Sequence, residues 1–225
     1  MGATHAPAPT GAGDMVVLVL TLTSCVVFVV TFVVLAVMRS RLAFVRAKNL
    51  SMLGVQTAAS VTWMLSSLVS NEHFEGARAV HMAACGAFMV AHYGFGVSLW
   101  LGVLLLRLYD AWSTWTRSRM PTWRARAGVL ACASGPTLVV CIVAYVIGAC
   151  APDEALGACV TAPAVKWTVM GLLLAAYIAL LVALRTTWGV PPEFDESRAL
   201  HLAARVLAPF AGLAAVLIMS DSWTD

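Results

Sequence analysis

Histidine and cysteine are two of the residue types in this chain whose side chains could bind a ligand or a metal ion. His81 and His92 are separated by about 16 Å if they lie on one helix, which is too far for two ligands of one metal ion. His92 lies in an apolar segment, where polar side chains are costly and often functional. We therefore predict no metal site and take His92 as the candidate for ligand binding. A hydrogen bond between His92 and a neighbouring helix is the favoured interpretation.

The six cysteines divide into two groups according to the sequence around them. Three lie within long apolar segments and are interpreted as small buried hydrophobic residues: Cys25, Cys132 and Cys141. The other three lie at or between the ends of apolar segments, on the side that the charge pattern assigns to the exterior: Cys85, Cys150 and Cys159. Disulfides can form there. A bridge between Cys85 and Cys159 is favoured, and pairings of Cys150 with either of them stay open.

The elements that position these residues must suit a chain that is 61% hydrophobic and 11% charged. Soluble domains carry about 25% charged residues, so lipid is the expected solvent. The lengths of the stretches without acidic or basic residues are close to or above the roughly 20 residues that a helix needs to cross a bilayer. Backbone groups in lipid must be satisfied internally, which favours helices. The sequence predicts an all-α integral membrane protein with helices at about 15–38, 50–70, 79–108, 127–149, 164–185 and 199–219.

Basic residues predict the orientation of these six helices. Eleven Lys and Arg residues lie after the first, third and fifth helices, whereas only Arg78 and Lys166 lie on the opposite side. The positive-inside rule places the eleven in the cytoplasm and the N-terminus outside. The chain then comprises a short disordered extracellular tail at 1–14, a transmembrane domain at 15–219 and a short extracellular end at 220–225. We expect a multi-pass protein of the plasma membrane that contacts lipid and binds no nucleic acid.

Four glycines within the apolar segments predict where helices approach each other most closely. They are Gly94, Gly102, Gly128 and Gly135. Small residues allow the backbones of two membrane helices to come close together. We therefore expect these four glycines to mark close contacts between helices.

The loop between the fifth and sixth predicted helices carries the most specific motif in the chain. Pro191 is followed by the run Phe194–Arg198, which reads FDESR. This spacing resembles the third intracellular loop of class C G-protein-coupled receptors, the metabotropic glutamate and GABA-B type, with Asp for Asn and Arg for Lys. The third helix adds a looser match, because Cys85 is followed by a Gly-Phe pair and then by Arg107-x-Tyr-x-x-Trp. Cys159 stands eight residues before a Trp, as in that family.

The resemblance implies the first six helices of a seven-helix receptor, apparently truncated after the sixth. It also implies that the chain transmits a ligand signal to a heterotrimeric G protein through the third and sixth helices and the basic cytoplasmic loops. Homodimers or heterodimers are expected. The residues assigned to coupling and switching are Arg107, Arg117, Arg119, Phe194, Asp195, Glu196, Arg198 and Arg205. The chain departs from the family in its short N-terminal tail, its lack of a seventh hydrophobic segment, and Leu104 or Leu105 in place of a lysine.

Two other classes of membrane protein stay open as alternatives. A six-helix transporter or channel subunit would carry an inverted repeat or intramembrane acidic residues, and the predicted helix interiors contain no Asp or Glu. A non-signalling membrane partner protein is the other alternative. The sequence contains no nucleotide-binding loop, no HExxH and no convincing serine–histidine–aspartate order, so we expect neither an enzyme nor a cofactor.

Overall fold

The computed structural model describes residues 11–39, 41, 50–70, 76–153 and 158–187. Within those ranges it contains seven α-helices and a π-helical segment, Val90–Ser98. The α-helices are α1 (Ala12–Met38), α2 (Leu50–Ser70), α3 (Ala77–Ala83), α4 (Cys85–Met89), α5 (Leu99–Arg117), α6 (Trp123–Val146) and α7 (Pro163–Thr186). Two antiparallel strands, β1 (Cys150–Asp153) and β2 (Ala158–Thr161), lie between α6 and α7.

Five helical stretches among the described residues are long and apolar enough to cross a membrane. They are Ala12–Met38, Leu50–Ser70, Cys85–Arg117, Trp123–Val146 and Pro163–Thr186. The first five predicted spans are thus confirmed as helices that could cross a bilayer, and the chain has the character of a multi-pass membrane protein. The predicted sixth helix, at 199–219, lies outside the described residues.

The predicted N-terminal tail of residues 1–14 is too long, because α1 already begins at Ala12. The Asp14 carboxylate accepts a hydrogen bond of 3.1 Å from the backbone N–H of Gly11. An acidic residue in the first turn also interacts favourably with the positive end of the helix dipole. The Asp14 carboxylate therefore stabilises the first turn of α1. The prediction had placed Asp14 at the end of the N-terminal tail instead.

The third predicted helix, 79–108, differs from the structure at both ends. Ala84, with φ −135° and ψ 33°, separates α3 from α4. At the other end α5 continues to Arg117 and stops at Ser118, whose φ is 51°. In these extra turns Ser113 is buried against the bundle, Asp110 is partly buried in an ion pair, and Arg117 is exposed. We call the continuous stretch Cys85–Arg117 the central helix.

The central helix lies at the core of the described bundle. Half of its most apolar window is buried, compared with 6% for α1 and 22–28% for the other three spans. It packs against α2 on one side and against α6 and α7 on the other. The buried cluster includes Leu104 and Leu108 of the central helix, Cys141 of α6, and Leu173 and Leu180 of α7. The faces that the bundle leaves exposed are apolar, as lipid contact requires.

The β-hairpin was not predicted from the sequence. β1 and β2 pair in a register that places Cys150 opposite Thr161 and Pro152 opposite Cys159. Gly148, with φ 69°, provides the turn that separates α6 from β1. Pro163 then occupies the first turn of α7, where its missing N–H has no helical acceptor in any case. The hairpin therefore covers the end of the bundle at which the central helix begins.

Candidate functional site

The central helix is π-helical from Val90 to Ser98, within its N-terminal half. π-helical turns are rare, and they occur frequently at functional sites. Two glycines in this segment face different neighbours. A Cβ atom at Gly94 would lie 2.9 Å from Leu138 Cδ1 of α6, and one at Gly96 would lie 2.8 Å from Trp63 Cβ of α2. The π-helical segment is therefore held tightly between α2 and α6.

His92, the predicted ligand-binding candidate, lies in this segment and is hydrogen-bonded to α2. Its Nδ1 is 3.3 Å from the hydroxyl oxygen of Ser66. The Ser66 hydroxyl also lies 2.7 Å from the Thr62 carbonyl of its own helix. The favoured interpretation, a hydrogen bond across two helices, is confirmed, and the Tyr93 ring packs edge-on against His92 at 4.6 Å.

A second polar contact joins the central helix to α6 at Ser98, the last residue of the π-helical segment. The Ser98 hydroxyl donates to the Ser134 carbonyl at 3.2 Å, and the Ser134 hydroxyl donates to the Ser98 carbonyl at 3.0 Å. Both serines are buried. Gly102, one turn further along, permits this approach because a Cβ there would collide with the Ser134 hydroxyl. The sequence did not single out the serine pair, although a Ser near a Gly in each of two adjacent apolar segments was the signal available.

The predicted glycine contacts are confirmed on the central helix. Gly94 and Gly102 face α6 closely. At Gly128 and Gly135 an added Cβ would have no described atom within 4 Å, so these two glycines mark no close approach to any of the described helices. On α6 the close approach is made by Ser134 and Leu138 instead. Glycine content alone does not reveal which face of a helix meets its neighbour.

The predicted coupling residues that the structure describes lie at the C-terminal end of the central helix and in the loop that follows it. Arg107 Nη1 donates to the side-chain oxygen of Gln56 in α2 at 2.7 Å. The guanidinium of Arg117 lies over the Trp112 ring, 5.4 Å from its centroid. Arg119 is exposed. The remaining predicted coupling residues lie outside the described residues: Phe194, Asp195, Glu196, Arg198 and Arg205.

An ion pair joins the central helix to α6 at the same end. Arg126 Nε lies 2.9 Å from Asp110 Oδ1, and the two side chains are 28% and 16% exposed. Thr122 caps α6 by accepting a hydrogen bond from the Ala125 N–H at 3.3 Å, which positions Arg126 in the first turn. The ion pair and the bond from Arg107 fix the C-terminal half of the central helix to two different helices.

A cavity of about 790 Å³ opens between the central helix, α6 and α7. Its volume is within the range of small-molecule pockets, roughly 300–1,000 Å³. The wall is mainly aliphatic, with Pro136 and Thr137 on α6 and Ala179 on α7. Tyr109 and Trp112 line it at the end that carries the basic residues. His92 is not among the residues that line it, so the ligand-binding candidate and the cavity are separate features.

The opposite end of the central helix is covalently tied to the hairpin. Cys85, the first residue of α4, forms a disulfide with Cys159 of β2, which confirms the favoured pairing. Cys150 is a buried thiol in β1. Ligand atoms of His81, Cys85 and Cys159 lie within 4.8 Å of one another. Because cysteine binds metals as a thiolate, the two sulfurs cannot serve as metal ligands while they are bonded to each other.

The described architecture is that of a helical multi-pass membrane protein in which a long central helix is disulfide-bonded at one end and basic at the other. No protein-family model, curated protein or solved structure matches the chain. The resemblance to class C receptors therefore rests on the motif residues of the sequence.

Proposed function

We propose that the chain is the membrane domain of a class C-like G-protein-coupled receptor, which transmits a ligand signal to a heterotrimeric G protein. The observation that supports this best is the disulfide from Cys85 to Cys159, which ties the start of the third spanning helix to the segment between the fourth and fifth. The resemblance implies this connection. A transporter or channel subunit has no requirement for it.

The geometry of the central helix supports a role in transmission. Its first residue is fixed by the disulfide at Cys85, and its C-terminal half is fixed to α2 by the bond from Arg107 to Gln56. The π-helical segment that contains His92 lies between them. A ligand that favours one arrangement of this segment would also favour one position of the basic end, because binding shifts a protein only toward the state that it binds better.

The proposed orientation places Arg117 and Arg119 in the cytoplasm, with the hairpin and the N-terminus outside. It is tested by two epitope tags, one before residue 11 and one in the loop after Arg117, in intact and permeabilised cells. Antibody should label the first tag on intact cells and the second only after permeabilisation. The reverse pattern would exclude coupling through this loop.

Coupling itself is tested with the full chain in lipid nanodiscs and purified heterotrimers of each Gα class. The rate of nucleotide exchange on Gα should rise with at least one heterotrimer. Joint replacement of Arg117→Ala and Arg119→Ala should reduce that rise at least about fivefold, equivalent to roughly 1 kcal/mol. Lys166→Ala, which removes a positive charge near the start of α7, is the control and should leave the rate unchanged.

The absence of both exchange and complex formation with every heterotrimer class would refute the proposal. Equal losses in the double arginine variant and in Lys166→Ala would also count against it, because they would show a general effect of charge.

A further inference from the structure

Three sulfur atoms meet where the central helix begins. Cys85 and Cys159 form the disulfide, and the Cys150 sulfur lies 3.5 Å from the Cys85 sulfur. Only one of the three residues is on the central helix; the other two belong to the two strands of the hairpin. The Cys150 thiol of the hairpin is therefore in contact with the disulfide that bonds the same hairpin to the central helix.

The hairpin register explains why both of its cysteines face Cys85. Residues directly opposite each other in an antiparallel pair project from the same face of the ladder. Cys150 is opposite Thr161, and Cys159 is opposite Pro152, two residues further along each strand. Side chains two residues apart share a face, so Cys150 and Cys159 are diagonal neighbours on one face. The Thr161 hydroxyl donates to the Cys150 sulfur at 3.3 Å, which holds that sulfur in place.

We propose that these three cysteines form a thiol–disulfide exchange site in which Cys150 is the attacking thiol. The Cys150 thiol loses its proton to solvent, and its sulfur attacks Cys85 Sγ. A bond forms between Cys150 and Cys85, the bond between Cys85 and Cys159 breaks, and Cys159 leaves as a thiolate that takes up a proton. One disulfide and one thiol are present before and after, so no oxidant or reductant is consumed.

The exchange transfers the free thiol from a buried to a more accessible position. Cys150 is only 9% exposed, whereas Cys159 is half-buried. Solvent-borne thiols, disulfides and electrophiles react with accessible thiolates. The exchange therefore makes the hairpin reactive toward small disulfides of the surrounding medium, and it moves the tether of the central helix from β2 to β1.

The exchange is tested on the wild-type chain in nanodiscs at pH 8 with a polyethylene glycol maleimide, which is too bulky for a buried thiol. After quenching, cleavage on the carboxyl side of Glu154 separates Cys150 from Cys159, and mass spectrometry maps each sulfur. The expected product carries the maleimide on Cys159 and a bond between Cys85 and Cys150. Cys150→Ser should reduce labelling of Cys159 at least tenfold, because no attacking thiol remains.

Cys141→Ser is the matched control, since it removes another buried thiol, one that belongs to α6 and not to the hairpin. It should leave labelling of Cys159 unchanged. Labelling of Cys150 with the bond between Cys85 and Cys159 intact would overturn the proposal. So would the complete absence of label on both residues after prolonged incubation at pH 9.

A second variant tests whether the alternative bond can form. In folded Cys159→Ser protein, Cys85 and Cys150 should be recovered as a disulfide. In the double variant with Cys150→Ser, Cys85 should be recovered as a free thiol. Two free thiols in folded, air-oxidised Cys159→Ser protein would refute the exchange geometry. If that variant does not fold, the wild-type labelling experiment decides alone.

Discussion

Gly96→Ala tests the packing of the π-helical segment against α2 most directly. The added Cβ atom would lie 2.8 Å from Trp63 Cβ and 2.9 Å from Trp63 Cα, whereas ordinary contacts begin at 3.4 Å. The second neighbour is a backbone atom and cannot rotate away. The two helices must therefore separate by roughly half an ångström, which weakens surrounding contacts by about a quarter of their attraction.

The expected loss of stability follows from two opposing effects. Overpacking of a tight contact costs about 1–3 kcal/mol. Replacing a helical glycine by alanine returns about 0.5–1 kcal/mol. Gly96→Ala should thus lower the free energy of unfolding by about 1.3 kcal/mol at the middle of these ranges, a factor of roughly 8 in the folded-to-unfolded ratio, and by about 2.5 kcal/mol at most.

The measurement is denaturing-detergent titration in mixed micelles, followed by helical circular dichroism. Gly171→Ala in α7 is the matched control, because no described atom lies within 4 Å of the new methyl group. It should be neutral or slightly stabilising. If Gly96→Ala were as stable as Gly171→Ala, the close approach of the π-helical segment to α2 would be refuted.

Three further outcomes are expected for polar and covalent links. Ser98→Ala and Ser134→Ala should each lower the free energy of unfolding by about 0.6 kcal/mol. The two costs should add in the double variant, because each hydroxyl bonds to a backbone carbonyl that alanine retains. A coupling energy above about 0.5 kcal/mol in the double-mutant cycle would contradict this. Asp110→Asn should destabilise by about 0.2–1 kcal/mol through loss of the ion pair with Arg126, and the difference should shrink in 1 M salt; a salt-independent effect would exclude the ion pair as its cause. Cys85→Ser should cost at most about 4.5 kcal/mol by unfolding titration, since it opens a loop of 74 residues. An unchanged midpoint would show that the bridge does not restrict the unfolded chain.

The spans were predictable because lipid excludes charge along whole segments. The bounds of α2 were predicted correctly, and those of α7 differ by one residue at each end. The end of the central helix was not predicted correctly, because the helix continues past the charged residues Arg107 and Asp110. Both of them have partners on neighbouring helices. Charge spacing reports where a chain leaves lipid, which is a different position from the end of its hydrogen-bonded helix.

The contacts within the bundle were only partly predictable. His92 was identified because a histidine among apolar residues needs a partner, but its partner Ser66 was not, since serines are common in membrane helices. The pairing of Cys85 with Cys159 was preferred and is confirmed. The nearness of Cys150 depends on the hairpin register, and two four-residue strands give little periodic signal in a sequence.

The π-helical segment has a consequence for how the chain tolerates insertions and deletions. Each π-turn bonds residue i to i+5 and so accommodates an extra residue relative to an α-turn. Deleting one residue between Val90 and Ser98 can therefore be absorbed by a return of the π-turns to α-helical geometry, which leaves Cys85 facing the hairpin and the rest of the helix facing α6. Deleting one residue from the α-helical part between Leu99 and Arg117 allows no such adjustment and would rotate everything beyond it by about 100°. The π-helical segment is thus the part of the central helix in which the chain tolerates a change of length.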